Sequence, residues 1–232
     1  MKEYFKFPST KHIVLPENER IRKDKVMSDE DIAEMLRHEL TIEEKVDGAN
    51  LGISFNDNGD ICLQNRGDWL MPPWEGQWEK LKVWIDRRQD SLFNTILDKY
   101  ILFGEWCYAT HSIHYNKLPD YFIGFDLYDK ENGHFLSVER RNEMCNVMGI
   151  TVIHQCARGK YTLKELFSFL GQSYYGDNMC EGIYVRWDDG EWLKRRAKLV
   201  RNDFRQSMEE HWSKKSMQIN CLNFFSSSEN IL

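Results

Sequence analysis

The chain has 232 residues, of which 41% are hydrophobic and 29% are charged, and its net charge is −6. This composition is that of a soluble globular protein with a proper core, and it excludes a disordered or fibrous chain. No run of about 18 apolar residues is present, so we expect no membrane span. The N-terminus also lacks the apolar core of a signal peptide. The negative charge argues against bulk non-specific binding to nucleic acid, but not against a local basic groove.

The six cysteines are scattered along the chain without a Cys-x-x-Cys pair. They fit reduced, buried thiols better than a disulfide framework or a zinc site, so we expect a cytoplasmic protein. No linker rich in Pro, Gly or Ser divides the chain. We therefore expect one domain over residues 1–205, followed by a helix and tail over 206–232 that are not a separate domain.

The predicted elements follow one another without strict β-α-β alternation, and strands dominate the middle of the chain. Ser28 is the predicted N-cap of a short helix that ends near Arg37. Further helices are predicted within 77–102 and at 137–148, 162–171 and 201–215. Strands are predicted at 41–44, 51–55, 61–65, 101–106, 121–128, 151–153, 182–187 and 192–200. This pattern favours an α+β fold with mostly antiparallel sheets flanked by helices.

The most informative segment is Lys45-Val46-Asp47-Gly48-Ala49-Asn50. Lys45 ends one predicted strand, and Asp47-Gly48 is a hairpin turn signal before the next strand. A lysine that attacks phosphorus needs a sheltered position, neighbouring cations that lower its pKa and a turn that admits a nucleotide. Lys-x-Asp-Gly is common by chance, so this segment alone favours an exposed turn lysine.

Four other segments carry chemistry that complements this lysine. Phe103-Gly104-Glu105-Trp106 places a carboxylate at a strand end, and Glu181-Gly182-Ile183-Tyr184-Val185 begins another strand. Arg196-Ala197-Lys198 places two cations on one strand face, and Asn65-Arg66-Gly67 follows the strand after the lysine turn. Together they supply a nucleophile, cations for phosphate charge, and carboxylates for sugar hydroxyls and a divalent ion such as Mg²⁺.

In this order the segments resemble the motifs of covalent nucleotidyltransferases, which include ATP-dependent polynucleotide ligases and capping guanylyltransferases. The resemblance is closest to RNA ligases similar to T4 RNA ligase 2, and the segment 111–119 also resembles that group rather than DNA ligases. It covers roughly residues 5 to 205. The segments that resemble motifs I, III, IIIa, IV and V are 45–48, 103–106, 121–128, 181–185 and 193–198.

The resemblance implies a ligase adenylation domain of nucleotidyltransferase fold without an OB-fold. Only about 30 residues follow the last motif, where related enzymes add another domain. The resemblance therefore also implies a monomer whose substrate-binding domain could come from a partner protein.

The resemblance further implies roles for individual residues. Lys45 attacks the α-phosphorus of ATP and forms a lysyl–AMP intermediate. Arg66 and Glu105 hold the ribose hydroxyls, and Glu44 lies beside the adenine edge. Phe122 stacks on adenine, with Phe125, three residues later, as the alternative.

The remaining roles concern the phosphates and the metal. Lys198 and Arg196 contact the α-phosphate, and Asn50 assists at the phosphate in later steps. Glu181 and Asp47 place a hydrated Mg²⁺ or Mn²⁺. Motif V is usually Lys-x-Lys, whereas this chain has Arg196-Ala197-Lys198, so Lys194 is an alternative first cation.

The implied activity is the ATP-dependent joining of 3′-hydroxyl and 5′-phosphate RNA ends. The alternatives are a DNA ligase, a GTP-dependent capping enzyme and a non-catalytic module that binds RNA ends. RNA contact is expected from the basic runs 20–25 and 194–201, with Trp69 and Trp74 as stacking surfaces if they do not belong to the core.

Overall fold

The computed structural model describes residues 4–13, 23–201, 203–204 and 217–223. These residues form an α+β fold with two five-stranded sheets and few helices. The first sheet, in spatial order, contains β1 (Lys11–His12), β10 (Trp192–Val200), β9 (Gly182–Asp189), β2 (Leu40–Lys45) and β8 (Gln155–Gly159). The second sheet contains β4 (Ile61–Gln64), β3 (Ala49–Phe55), β5 (Tyr100–Trp106), β6 (Phe122–Asp129) and β7 (His134–Phe135).

The sheets are antiparallel in every ladder between these strands except β1–β10, which confirms the predicted α+β class with mostly antiparallel sheets. Five α-helices accompany them among the described residues: α1 (Asp29–Met35), α2 (Leu81–Asp86), α3 (Gln89–Ile96), α4 (Val138–Met148) and α5 (Leu163–Leu166). Ser28 caps α1 as predicted, because its hydroxyl accepts a hydrogen bond from the Asp31 N–H at 3.1 Å.

The predicted hairpin around Asp47-Gly48 is wrong. β2 ends at Lys45 in the first sheet and β3 begins at Ala49 in the second, so residues 46–48 cross from one sheet to the other. Gly48 does not have a positive φ. A Cβ atom at Gly48 would instead lie 2.8 Å from the Trp106 carbonyl oxygen, so glycine is required there for close approach between chain segments.

Three apolar clusters form the core. One lies on the face of the second sheet that carries Leu51 and Ile53, beneath α2 and α3. Another fills the space between the sheets and includes Phe103 and Ile123. The third covers the opposite face of the first sheet, where Ile42 packs with residues of α1. Each sheet therefore has one face turned toward the other sheet and one face covered by helices.

Several predicted elements have different bounds in the structure. The region 77–102 divides into a 3₁₀ turn (Gly76–Trp78), α2, α3 and the start of β5. The segment 151–153 contributes only an isolated bridge from Val152 to Gly124, and the unpredicted strand β8 follows it. The predicted helix over 162–171 is α5 followed by a 3₁₀ turn. The predicted helix over 201–215 and the polar tail fall largely outside the described residues.

Two expectations from composition can be compared with the structure. All six cysteines are free thiols, and Cys107, Cys145 and Cys180 are buried. None of the described helices combines the length and apolar character that a bilayer crossing demands.

Gly104 generates a test of packing next to a candidate site residue, because it directly precedes Glu105 in β5. A Cβ atom at Gly104 would lie 2.3 Å from Cζ of Phe122 and 2.6 Å from the Ile123 carbonyl oxygen. We expect Gly104→Ala to lower the free energy of unfolding by about 1–3 kcal/mol through overpacking, as measured by urea denaturation. Gly171→Ala is the matched control, since nothing lies within 4 Å of a Cβ atom there. Equal losses in the two variants would contradict this interpretation.

Candidate active site

The residues of β2 alternate between the two faces of the first sheet. Glu43 and Lys45 lie on the face turned toward the second sheet, whereas Ile42 and Glu44 lie on the opposite face. In the ladders, Lys45 pairs with Gly182, Glu43 pairs with Tyr184, and Tyr184 pairs with Lys198. This face is therefore polar over three neighbouring strands.

The second sheet presents its own polar positions to this face. Asn50 and Glu105 are ladder partners in β3 and β5. We call the space between the two faces the groove. A small cavity of about 10 Å³ within it is lined by residues of both sheets and of the N-terminal segment: Phe7, Thr10, Glu43, Phe125, Asp126, Tyr184, Arg186 and Arg196.

Lys45 is mostly buried in the groove and forms an ion pair there. Its Nζ donates a hydrogen bond to Oε2 of Glu181 at 2.5 Å and lies 5.7 Å from the centre of the Tyr184 ring. Burial alone lowers the pKa of Lys45, but the nearby charge of Glu181 outweighs it and raises the pKa above its ordinary value. The cations expected to lower this pKa are therefore outweighed by the neighbouring carboxylates, which hold Lys45 as an ammonium ion.

Glu105 is the carboxylate most affected by this environment. Burial raises its pKa from 4.5 to about 7, with Glu181 and Asp47 raising it further and Lys45 and Arg66 opposing the change. These electrostatic effects require all five side chains to lie near one another. The structure thus brings together five of the predicted site residues from four separate chain segments.

Asp47 is fixed by the segment that follows β5, which we call the 107–118 loop. Oδ2 of Asp47 accepts hydrogen bonds from the Ser112 N–H at 2.6 Å and the Ile113 N–H at 3.0 Å. The Asp47 N–H donates to the Tyr115 hydroxyl at 2.8 Å. The position of this carboxylate therefore depends on the conformation of the loop.

The predicted metal ligands, Asp47 and Glu181, fit a hydrated ion rather than a closed protein cage. Within the described ranges, no group of three or more His, Cys, Asp or Glu residues is arranged to hold a metal. Burial raises the pKa of Glu181, and the charge of Asp47 raises it further. Two carboxylates that repel one another suit Mg²⁺ or Mn²⁺, because such an ion takes its other ligands from water and phosphate.

Two further predicted site residues belong to the second sheet or to the turn that follows β4. Arg66 is exposed and follows Asn65, whose Oδ1 accepts hydrogen bonds from the Gly67 and Asp68 N–H groups at 2.7 and 2.9 Å. This turn holds Arg66 within electrostatic range of Glu105. Oδ1 of Asn50 is buried and has no hydrogen-bond partner within the described part of the chain.

Glu44 does not share the groove face with Lys45. Its Oε1 accepts a hydrogen bond from the Ser173 hydroxyl at 2.5 Å, and its Oε2 accepts one from the Tyr174 N–H at 2.8 Å. Burial raises its pKa. The structure therefore assigns Glu44 to anchoring residues 173–174, and its role beside adenine stays a prediction.

The two candidate stacking rings lie in different environments. Phe122 is fully buried in the helix-covered core, with its ring centre 5.0 Å from that of Trp84. Phe125 lines the cavity and contacts Phe7, with ring centres 5.4 Å apart. The choice of Phe122 is disfavoured because no part of its ring faces the groove, and the alternative, Phe125, is favoured.

The basic residues of β10 also lie in different environments. Lys194 is exposed beside a bulge, whereas Arg196 and Lys198 lie on the groove face. The positive charge of Lys198 lowers the pKa of Glu181, which places it near Lys45. The Arg196 guanidinium bonds to Asp126 and lies over the Phe7 ring at 4.3 Å. The structure therefore favours Arg196 over Lys194 as the first cation of the pair.

Sequence reasoning missed a buried charge network at the base of the cavity. Arg141 donates to Oε1 of Glu43 at 2.6 Å, and Arg186 donates to Oδ1 of Asp126 at 2.6 Å, with all four side chains at most 3% exposed. Asp126 could have been noticed because it follows Phe125 in motif IIIa. Nothing in the helical segment around Arg141 indicates its partner 98 residues away.

The raised pKa of Glu105 predicts a pH-dependent stability. Because the folded protein holds this proton from about pH 4.5 to 7 whereas the unfolded chain releases it, stability falls as pH rises through that range. We expect Glu105→Gln to be more stable than the wild type by about 1–2 kcal/mol at pH 8, with a smaller difference at pH 5. Urea denaturation at both pH values measures this. Glu75→Gln, at an exposed position, is the control, and an equal gain at both pH values would refute the assignment.

Structures of the Naegleria gruberi RNA ligase have a similar fold. The ligase with PPi aligns with a TM-score of 0.61 and 17% identity over 90% of this chain and 64% of that chain. A lysine-to-alanine variant with ATP and Mn aligns with a TM-score of 0.61 and 18% identity over 78% of this chain and 54% of that chain. The present chain thus spans between half and two thirds of the length of those ligases. Identities this low support a common fold alone.

Sequence comparison supplies the family. No curated protein sequence matches the chain. The family model described as RNA ligase matches residues 38–200, which is more than half of the chain and includes the segments that resemble motifs I to V. The chain therefore belongs to the RNA ligase family.

Proposed function

We propose that this protein joins 3′-hydroxyl and 5′-phosphate RNA ends with ATP, through an AMP carried on Lys45 and then on the RNA 5′ end. The observation that supports this most directly is the convergence of Lys45, Glu105, Glu181 and Lys198 in one groove. Membership of the RNA ligase family supports the same activity.

In the first step, the neutral amine of Lys45 attacks the α-phosphorus of ATP, a nitrogen–phosphorus bond forms, and pyrophosphate leaves. Lys45 must lose a proton before this attack, and its carboxylate neighbours Glu181 and Glu105 oppose that loss. Mg²⁺ or Mn²⁺ held by Glu181 and Asp47 would supply positive charge that offsets these carboxylates. The ion pair thus keeps Lys45 in position but unreactive until substrate and metal are present.

The other groove residues hold the nucleotide. Lys198, with Arg196, stabilises negative charge that develops on the α-phosphate. Arg66 and Glu105 hold the ribose hydroxyls at the edge of the groove. Asn50, whose Oδ1 is buried without a partner in the described residues, assists at the phosphate in the later steps.

The lining of the cavity, rather than its volume, supports this place for the adenine base. Phe125 and Tyr184 line it and offer aromatic surfaces for stacking. Oγ1 of Thr10 is buried there without a hydrogen-bond partner among the described residues, so it is free to bond to the edge of a base. Because Phe125 lines the cavity, we propose it as the ring that stacks on adenine.

RNA contact remains the proposed role of the basic runs. Within 194–201, Arg195 pairs with Asp31 and Arg201 pairs with Asp203, so the exposed Lys194 is the clearest contact. Residues 20–22 of the other run lie outside the described part of the chain. Trp69 packs against Tyr4 with ring centres 5.5 Å apart, which supports a structural role for this tryptophan.

We also propose that residues 1–205 form the adenylyltransferase domain, without an OB-fold, and that 206–232 belong to the same unit. The protein is proposed to act as a cytoplasmic monomer.

Covalent labelling tests the proposed nucleophile. Incubation with ATP labelled at the α-phosphate, plus Mg²⁺ or Mn²⁺, is expected to leave label on the wild-type protein after denaturation. Lys45→Ala should remove the label, because the substitution removes the attacking amine. Lys82→Ala, at an exposed lysine paired with Asp86, is the control and should label normally. Absence of label on the wild type, or equal label on Lys45→Ala, would refute the proposal.

The same experiment separates the alternative functions. Adding RNA with a 5′-phosphate should move the label from protein to RNA, and a 3′-hydroxyl end should then release AMP. Label from GTP instead of ATP would indicate a capping enzyme, and transfer only to nicked DNA would indicate a DNA ligase. RNA binding without any label would indicate a non-catalytic module.

The choice of stacking ring has its own test. Phe125→Leu is expected to raise the ATP concentration for half-maximal labelling roughly tenfold, because base stacking is lost. Phe122→Leu is the matched change in the core and should lower the free energy of unfolding by about 1 kcal/mol, with ATP use unchanged. The reverse pattern in these two measurements would restore Phe122 as the stacking residue.

A further inference from the structure

A short C-terminal segment lies against the 107–118 loop. We call residues 217–223 the strap. Its backbone hydrogen bonds to the loop are Thr110 N–H to Gln218 O (2.8 Å), Asn220 N–H to Tyr108 O (3.0 Å), Cys221 N–H to Tyr115 O (2.9 Å), Leu118 N–H to Cys221 O (3.1 Å) and Asn223 N–H to Leu118 O (2.7 Å). The strap lies outside the region 38–200 that matches the family model.

The centre of the strap is the side chain of Asn220, which is 1% exposed. Its Oδ1 accepts hydrogen bonds from the Tyr115 N–H and the Thr110 hydroxyl, both at 2.8 Å. Its Nδ2 donates to the carbonyl oxygens of Cys107 at 2.9 Å and Ala109 at 3.3 Å. Asn220 thus uses both donors and both lone pairs of its amide in hydrogen bonds to the protein. In a freely moving tail, water would form these hydrogen bonds instead.

These contacts lead from Asn220 to the candidate active site. Tyr115, held by Asn220 through its N–H, accepts a hydrogen bond from the Asp47 N–H through its hydroxyl at 2.8 Å. Ser112 and Ile113, in the same loop, hold the Asp47 carboxylate. Asp47 is two residues from Lys45. The strap and motif I therefore form hydrogen bonds to opposite sides of the same loop.

The loop cannot replace these contacts by itself. Without Asn220, the Cys107 carbonyl and the Tyr115 N–H would lose partners at a buried position, and the loop would shift to reach water. A group that positions the reactants can be displaced by about 1 Å and remain chemically unchanged, yet the reaction can then be roughly 100-fold slower.

We propose that Asn220 is a positioning residue for lysine adenylylation, because the strap holds the 107–118 loop in the conformation that places Asp47. This inference rests on the proposed function of Lys45. It extends the functional unit beyond the motifs, since a residue 175 positions after Lys45 sets the geometry of motif I.

The test uses the full chain and single-turnover labelling with α-labelled ATP. Asn220→Ala is expected to lower the maximal rate constant at least roughly tenfold. The ATP concentration for half-maximal rate should change less than about threefold, because Phe125, Arg66 and Glu105 bind base and ribose elsewhere. Asn220→Asp, which keeps an acceptor for Tyr115, should retain part of the rate. Ile219→Ala, at a side chain 42% exposed in the same strap, is the control and should match the wild type.

A second variant tests the contact between the 107–118 loop and Asp47 if Asn220→Ala does not fold. Tyr115→Phe removes only the hydroxyl that contacts Asp47, and it should show the same loss of rate at unchanged ATP dependence. Hydrogen exchange of the Asp47 amide should also become faster in Asn220→Asp than in the wild type, whether or not the protein is active.

Folded variants with the wild-type rate constant, or a loss confined to ATP dependence, would overturn the positioning role. A wild type that carries no label on Lys45 would instead refute the proposed function. In that case unchanged Asp47 exchange in Asn220→Asp would overturn the structural coupling as well.

Discussion

The ion pair between Lys45 and Glu181 is the interaction on which the site depends. Lys45 ends β2 and Glu181 immediately precedes β9, and the two strands are neighbours with Lys45 opposite Gly182. Antiparallel pairing therefore places the amine and the carboxylate next to each other, although no turn connects the two strands. A buried charge that loses its partner costs about 3–5 kcal/mol, so the pair also constrains the ends of both strands. The crossover 46–48 then leads from this point to the second sheet, which brings Glu105 into range.

The sequence predicts those parts of the fold and site that depend on local pattern. Alternation and turn residues locate most strands, and the order of the motifs is enough to predict that Lys45, Glu105 and Glu181 lie together. Local pattern fails where tertiary contacts decide the outcome. Asp47-Gly48 has the composition of a hairpin turn, yet close approach to Trp106 sends the chain into another sheet. Phe122 and Phe125 lie three residues apart in β6 and occupy different environments, and the resemblance alone does not show which of them borders the cavity.

Contacts between distant segments were beyond prediction for a different reason. Asn220 lies 105 residues from Tyr115, and an asparagine in a polar C-terminal segment has no local feature that distinguishes it from a solvated one. Arg141 likewise has the pattern of an ordinary helical arginine until its buried partner Glu43 is known. In both cases the side chain is informative only because it is buried and fully bonded. Buried polar residues outside the motifs are therefore where the structure adds most to the sequence.

The groove carries an excess of negative charge around Lys45. Glu105 has a pKa near neutrality because it is buried, and because the carboxylates Glu181 and Asp47 add to an effect that the cations Lys45 and Arg66 only partly oppose. An arrangement optimised for stability alone would not bury three acids around one lysine. The same excess of negative charge holds Lys45 as an ammonium ion, which cannot attack phosphorus. Positive charge added at these carboxylates would remove both effects at once, since it lowers the pKa of Lys45 and relieves the repulsion between the acids. Under the proposed function, this excess of negative charge would couple activation of Lys45 to the binding of metal and nucleotide.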